Sequence, residues 1–203
     1  MKVSEHDEHA HDHDHDGHRH EGHDHDHDHD HDHVLIVDRL PAGDWTVDPE
    51  GSEVNFKARA LFGVLPVNGY FGEFSGDLTV DAAGAVNGSL VVQTATIETG
   101  IAKRDADLRS AAYLGVADYP QLTFTAQKLE ASGEDHLNLT GSLEVHGTTI
   151  PLSFPVYAIL HGDHLHIEGR VKIDHQAAGL KWAKPGMVGK TVRADVALTL
   201  IQA

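Results

Sequence analysis

The sequence predicts an all-β domain, an eight-stranded antiparallel barrel with one short helical insert, preceded by a disordered tail. Three observations predict it. Eight runs alternate apolar and polar residues, so each strand buries one face only, as antiparallel sheets do. Gly, Pro and Asp, which supply turn geometry, punctuate those runs. Residues 1–33 hold 13 His and 12 Asp or Glu, too polar a stretch to bury the surface that folding needs.

The tail is dominated by His-Asp alternation. Its candidate metal ligands are His6, His9, His11, His13, His15, His18, His20, His23, His25, His27, His29, His31 and His33. Imidazole and carboxylate together suit zinc or nickel. At four ligands per tetrahedral ion, the tail has capacity for about three ions. The alternative is a solvated tail or a purification handle, although handles rarely interleave aspartate. Residues 34–44 read as a linker ending at Pro41-Ala42-Gly43-Asp44, and the domain spans 45–203 from Trp45 onward.

The strands follow in order. Ser52–Ala60 puts Val54, Phe56, Ala58 and Ala60 on one face. Val67–Val80 shifts parity between Phe71 and Phe74, which predicts a bulge or bend at Gly72. Ala85–Ile97 follows the turn Asp81-Ala82-Ala83-Gly84. Gln121–Leu129 aligns Leu122, Phe124 and Ala126, and Leu137–His146 aligns Leu139, Gly141 and Leu143. Thr149–Leu160 faces Leu152, Phe154 and Val156 inward. His164–Asp174 faces Ile167, Gly169 and Val171 inward, and Lys190–Ile201 does the same with Ala194, Val196 and Leu198. Eight such strands suffice to close a barrel and so remove both exposed edges; a two-sheet sandwich is the structural alternative.

Between the third and fourth runs lies Thr96–Phe124. Asp105 opens a helical segment there, and Arg109 stands at the i,i+4 spacing expected of an ion pair with it. Tyr119-Pro120 ends the segment, since the residue before proline avoids the α region. A helix inserted between strands is expected to act as a plug or lid on the sheet.

The tail carries a formal −10 of the −17 total. The remaining acidic balance argues against nucleic acid, whose partners present a basic face. No cysteine is present, which excludes disulfides and thiolate metal sites. After Lys2 come acids and imidazoles rather than an apolar segment, and Val34–Val37 is too short to span a bilayer. The expected location is cytoplasmic. No nucleophile elbow, phosphate loop or zinc-protease motif occurs, so an enzyme is not expected. His161, His164, His166 and His175 could gather at one barrel end. Solvent-facing histidines are the simpler reading, with a structural metal site as the alternative.

Several motifs carry a resemblance in their order and spacing. They are Trp45-x-Val47-Asp48, Ser52-x-Val54-x-Phe56, Gly69-x-Phe71, Thr96-Ile97-Glu98-Thr99-Gly100, Arg104-Asp105-x-Asp107-Leu108-Arg109-Ser110, Tyr119-Pro120-x-x-Thr123-Phe124 and Gly141-x-Leu143-x-Val145-x-Gly147-x-Thr149. Together they resemble the YceI-like family of polyisoprenoid-binding proteins from about Trp45 to the C-terminus. The chain departs from that pattern at Ala111-Ala112-Tyr113-Leu114 and at His175-Gln176-Ala177-Ala178-Gly179, both in connections.

The resemblance implies a lipocalin-like barrel that holds a long isoprenoid or quinone-like lipid. The lipid-binding residues would be Phe56, Ala58, Phe74, Phe124, Leu139, Phe154 and Ala194 on the inward rows, with Tyr113, Leu114 and Trp182 near the mouth. Small inward residues such as Ala58, Gly141, Gly169 and Ala194 would leave an apolar gap unless neighbouring phenylalanines close it. The expected function is a non-enzymatic lipid carrier with a metal-binding tail. Its expected partners are a lipid ligand, divalent metal ions and a second copy in a homodimer. The alternative is a zinc or nickel buffering or storage protein with the barrel as scaffold.

Overall fold

The computed structural model describes residues 33–60, 64–180 and 189–203. The strands are β1 (His33–Ile36), β2 (Gly43–Ala60), β3 (Leu65–Phe71), β4 (Phe74–Val80), β5 (Val86–Gln93), β6 (Ile97–Glu98), β7 (Gln121–Ser132), β8 (His136–Val145), β9 (Thr148–His161), β10 (His164–Asp174) and β11 (Thr191–Gln202). A single 3-10 turn covers Thr94–Thr96, and helix α1 runs from Ala102 to Arg109.

Eight of these strands close into an antiparallel barrel in the order β2, β4, β5, β7, β8, β9, β10, β11, with β11 returning to β2. Closure removes the free edges that an open sheet would present. The first half of β2 pairs with β4, and its second half pairs with β3. β3 and β4 are thus two arms of one bent strand, broken at Gly72-Glu73 where the sequence parity shifts. The bend is pinned by the Gly72 and Glu73 amides, which donate to the Thr96 carbonyl and hydroxyl.

β2 begins earlier than the alternation predicts. The strand runs from Gly43 through Pro49 and Gly51 before it reaches Ser52. Asp48 opposes Thr199 and Glu53 opposes Ala197, so the residues between bulge outward. Ser52 Oγ donates to the Asp48 carbonyl at 2.6 Å, and Thr199 Oγ1 donates to the Gly51 carbonyl at 2.6 Å. Those bonds replace the ladder bonds that the bulge removes.

Residues 34–44 are not a linker. β1 pairs with β9 from His33↔His161 to Ile36↔Ala158, extending the edge that β8 leaves at Leu137. Leu40 is 3% exposed and packs with Trp45, Val80, Leu137 and Leu165. A buried leucine contributes about 1.5–3 kcal/mol, so this segment is part of the barrel's sealed end. A second buried cluster, Val54, Phe71, Val92 and Ile97, lies under α1 at the opposite end.

β9 pairs with β10 only from Val156 to His161. Pro151 and Pro155 bring no N–H to a ladder, which limits pairing on that side. The connection after β10 packs against this region instead: Ala178 and Leu180 are buried with Val145, Ile150 and Ile173.

Candidate functional site

Inside the barrel lies a cavity of about 460 Å³, within the size range of small-molecule pockets. Its wall is overwhelmingly apolar, because the inward row of each strand is drawn from Val, Leu, Ile, Phe and Ala. It extends from Leu40 and Leu200 at the sealed end to Arg59, Arg104 and His175 at the helix end.

Three glycines, Gly69, Gly141 and Gly169, lie beneath phenylalanine rings. A side chain added at Gly69 would meet Phe56 Cζ at 2.5 Å, and one at Gly141 would meet Phe124 Cζ at 2.6 Å. At Gly169 the neighbour is Phe154 Cε2 at 3.1 Å. Phe56 and Gly69 are direct register partners; the other two rings reach diagonally. These rings occupy the space above the glycines, and the cavity persists beside them. Phe124 and Phe154 sit with centroids 5.8 Å apart, inside the favourable aromatic range.

Of the residues expected to meet a lipid, Phe56, Ala58, Tyr113, Leu114, Phe124, Leu139, Phe154 and Ala194 all line this cavity. Phe74 does not; it packs between the sealed-end cluster and the cluster under α1. Trp182 lies outside the described residues, as do the tail histidines from His6 to His31, while His33 is described only as the first residue of β1. The sequence reading missed Leu180, Ala178 and His175, which reach the cavity from the β10–β11 connection. Alternation cannot flag a residue outside a strand. Ile167 and Val171, which the alternation faces inward, also line it.

Polar pins, not an apolar face, hold α1 over the barrel. Asp105 is buried and accepts from the Thr99 amide at 2.9 Å and from the Thr99 hydroxyl. Arg104 donates to Thr99 Oγ1 at 2.7 Å and to the Thr99 carbonyl at 2.9 Å. The expected Asp105–Arg109 pair does not form. Arg109 instead donates to the carbonyls of Ala95 at 2.7 Å and Ile97 at 2.6 Å. Those carbonyls lie in and after the 3-10 turn, so a charged donor serves them better than an exposed ion pair would. Leu108 and Leu114 complete the seal beneath the helix.

The four candidate histidines, His161, His164, His166 and His175, do not share one end. His164 and His166 stack at 6.5 Å near the sealed end, with His166 Nδ1 3.0 Å from Thr199 Oγ1. His175 is buried at the helix end, where its Nδ1–H donates to the Leu180 carbonyl at 2.9 Å. Among the described residues, no three His, Asp or Glu side chains are placed to hold a metal ion.

Comparison with known proteins agrees with this geometry. Protein YceI of Escherichia coli O17:K52:H18 is 36% identical over 146 residues, spanning 65% of this chain and 74% of that protein. The crystal structure of Burkholderia cenocepacia BcnA superposes with a TM-score of 0.69 at 22% identity, over 75% of this chain and 98% of that one. A polyisoprenoid binding domain from Saccharophagus degradans, implicated in plant cell wall breakdown, gives 0.63 at 18% identity, over 78% and 98%. At such identities the two structures establish the shared fold. Residues 45–200 match the YceI-like domain, and the chain belongs to the YceI-like family.

Proposed function

We propose that this protein is a non-enzymatic carrier that holds an isoprenoid-type or quinone-like lipid inside its barrel. One observation carries the reading: a cavity of about 460 Å³ whose wall is apolar nearly throughout. An apolar void does not satisfy water, whereas each methylene of a hydrocarbon chain that enters it gains about 0.8 kcal/mol. The Saccharophagus degradans neighbour, a polyisoprenoid binding domain of the same fold, supports the choice of ligand class. The polar residues at the helix end, Arg104 and Asp107 among them, suit a ligand with a polar head and an apolar tail. The His- and Asp-rich tail adds divalent metal binding, on the chemistry of its 13 histidines.

Mass spectrometry of an organic extract of the purified protein tests the lipid reading. A stoichiometric isoprenoid or quinone in the extract is the expected result. An extract without lipid, from a protein that also fails to take up geranylgeraniol, refutes the carrier reading and leaves the barrel as a scaffold for the tail.

A further inference from the structure

The outer wall at the helix end carries a row of cations. Lys172, Arg193 and Lys57 are successive register neighbours across β10, β11 and β2. Arg170 lies two residues from Lys172 on the same face of β10. One carboxylate serves the row. Asp195 accepts from Arg170 at 2.7 Å and from Arg193 at 3.0 Å, and lies 3.5 Å from Lys57 Nζ. Like charges directly opposite each other across strands are unfavourable, and among the described residues Asp195 is the one carboxylate in ion-pair contact with the row. Lys103 is exposed at the start of α1 on the same end, and Lys190 is exposed beside Asp174. The sealed end has the opposite character, with Asp44, Asp48, Glu50, Asp81, Glu134 and Asp163 in its strands and turns. Acids stand at the helix end as well, Glu98, Asp105, Asp107 and Asp174 among them, so its excess of cations lies on the outer wall of β10, β11 and β2.

The same end exposes apolar side chains. Val64 is 79% exposed and Leu65 46% exposed at the start of β3, and Ile101 is 52% exposed before α1. Isolated exposed apolar residues need no explanation, but here they stand beside cations and at the end where the cavity wall reaches Arg59, Arg104 and Tyr113.

We propose that the helix end is a docking surface for an anionic bilayer. Val64, Leu65 and Ile101 enter the interfacial region, while Lys57, Lys103, Lys172 and Arg193 face the lipid phosphates. Apolar residues bordered by lysine and arginine bind such surfaces through burial and charge together. The orientation turns the helix end of the cavity towards the bilayer. The inference does not depend on what the cavity holds, so it can fail or succeed separately from the carrier reading.

Co-sedimentation of the full chain with vesicles tests it, in buffer containing a chelator so that the tail holds no metal. Vesicles of phosphatidylglycerol mixed with phosphatidylcholine should bind the protein, pure phosphatidylcholine should bind it far less, and added salt should weaken binding. Lys57→Glu and Lys172→Glu should each lower the partition constant by more than about fivefold, the value of one cation near such a surface. Val64→Asp should also lower it, and the fold cannot suffer there because that side chain is already in solvent. Lys128→Glu, away from the helix end, should change nothing. Equal binding to both vesicle types, no binding to the anionic ones at low salt, or folded rim variants that bind as the parent does would each overturn the proposal. So would preferential binding to a soluble acidic protein over anionic vesicles.

Discussion

Filling the cavity is the sharpest perturbation of the proposed function. Ala58 and Ala194 both line it, and their neighbours Phe56 and Val67 already define its wall. Ala58→Phe with Ala194→Phe adds two phenyl rings to the interior. A benzene-sized group occupies a cavity of about 150 Å³, so the pair would take up roughly 300 Å³ of the 460 Å³ present. Expelling even five or so methylenes of a bound chain, at ~0.8 kcal/mol each, costs about 4 kcal/mol of binding, close to a thousandfold in affinity. Stability should respond differently. Rings placed into real space should leave the melting temperature within a few degrees of the parent, whereas overpacking a filled core costs about 1–3 kcal/mol per site. The assay pairs retention of geranylgeraniol, measured by extraction, with thermal unfolding. A double variant that unfolds early shows that the interior was already packed; one that folds normally and retains the lipid with unchanged affinity shows that the ligand sits elsewhere. Either result refutes the reasoning.

Asp105→Ala should destabilise the protein by about 1–3 kcal/mol in urea titration, because it leaves the Thr99 amide and hydroxyl without their side-chain acceptor; Asp105→Asn should cost less. Deleting residues 1–32 should leave thermal unfolding of the barrel unchanged while removing most zinc or nickel binding in calorimetry. Deleting residues 1–40 should lower the unfolding temperature, since it strips β1 from β9 and takes Leu40 out of the sealed end. Burial opposes ionisation of Asp195, but hydrogen bonds from Arg170 and Arg193 outweigh it and hold the carboxyl below the usual range. Its stabilisation is therefore present above the unfolded pKa of ~3.9 and lost as pH falls through the lower folded value. Asp195→Asn should flatten the acid limb of a stability–pH profile below about pH 4; an unchanged limb would remove this residue from the account.

Alternation by itself determined the antiparallel strands, while closure into a barrel rather than a sandwich came from the pairing of β11 with β2. Period-2 patterning with one buried face specifies antiparallel strands, and from it the sequence alone reads the inward parity of Phe56, Phe124, Leu139, Phe154 and Ala194. The bend at Gly72 was legible too, because a parity slip between Phe71 and Phe74 has no other meaning in a strand. What the tertiary structure decided was every feature that rests on contacts between distant segments. The β2 bulge at Asp48–Ser52 exists because Thr199 stands ready to satisfy it, and no local signal reveals that partner. Val34–Ile36 became a strand only because β8 ends early along β9. Arg109 turned from Asp105 to two backbone carbonyls because the 3-10 turn presents them there. The depth of the cavity was decided in the same way. Small residues on inward rows announce possible space, but only the positions of the phenylalanine rings over Gly69, Gly141 and Gly169 fix how much remains, since packing is a property of three-dimensional neighbours and not of sequence order.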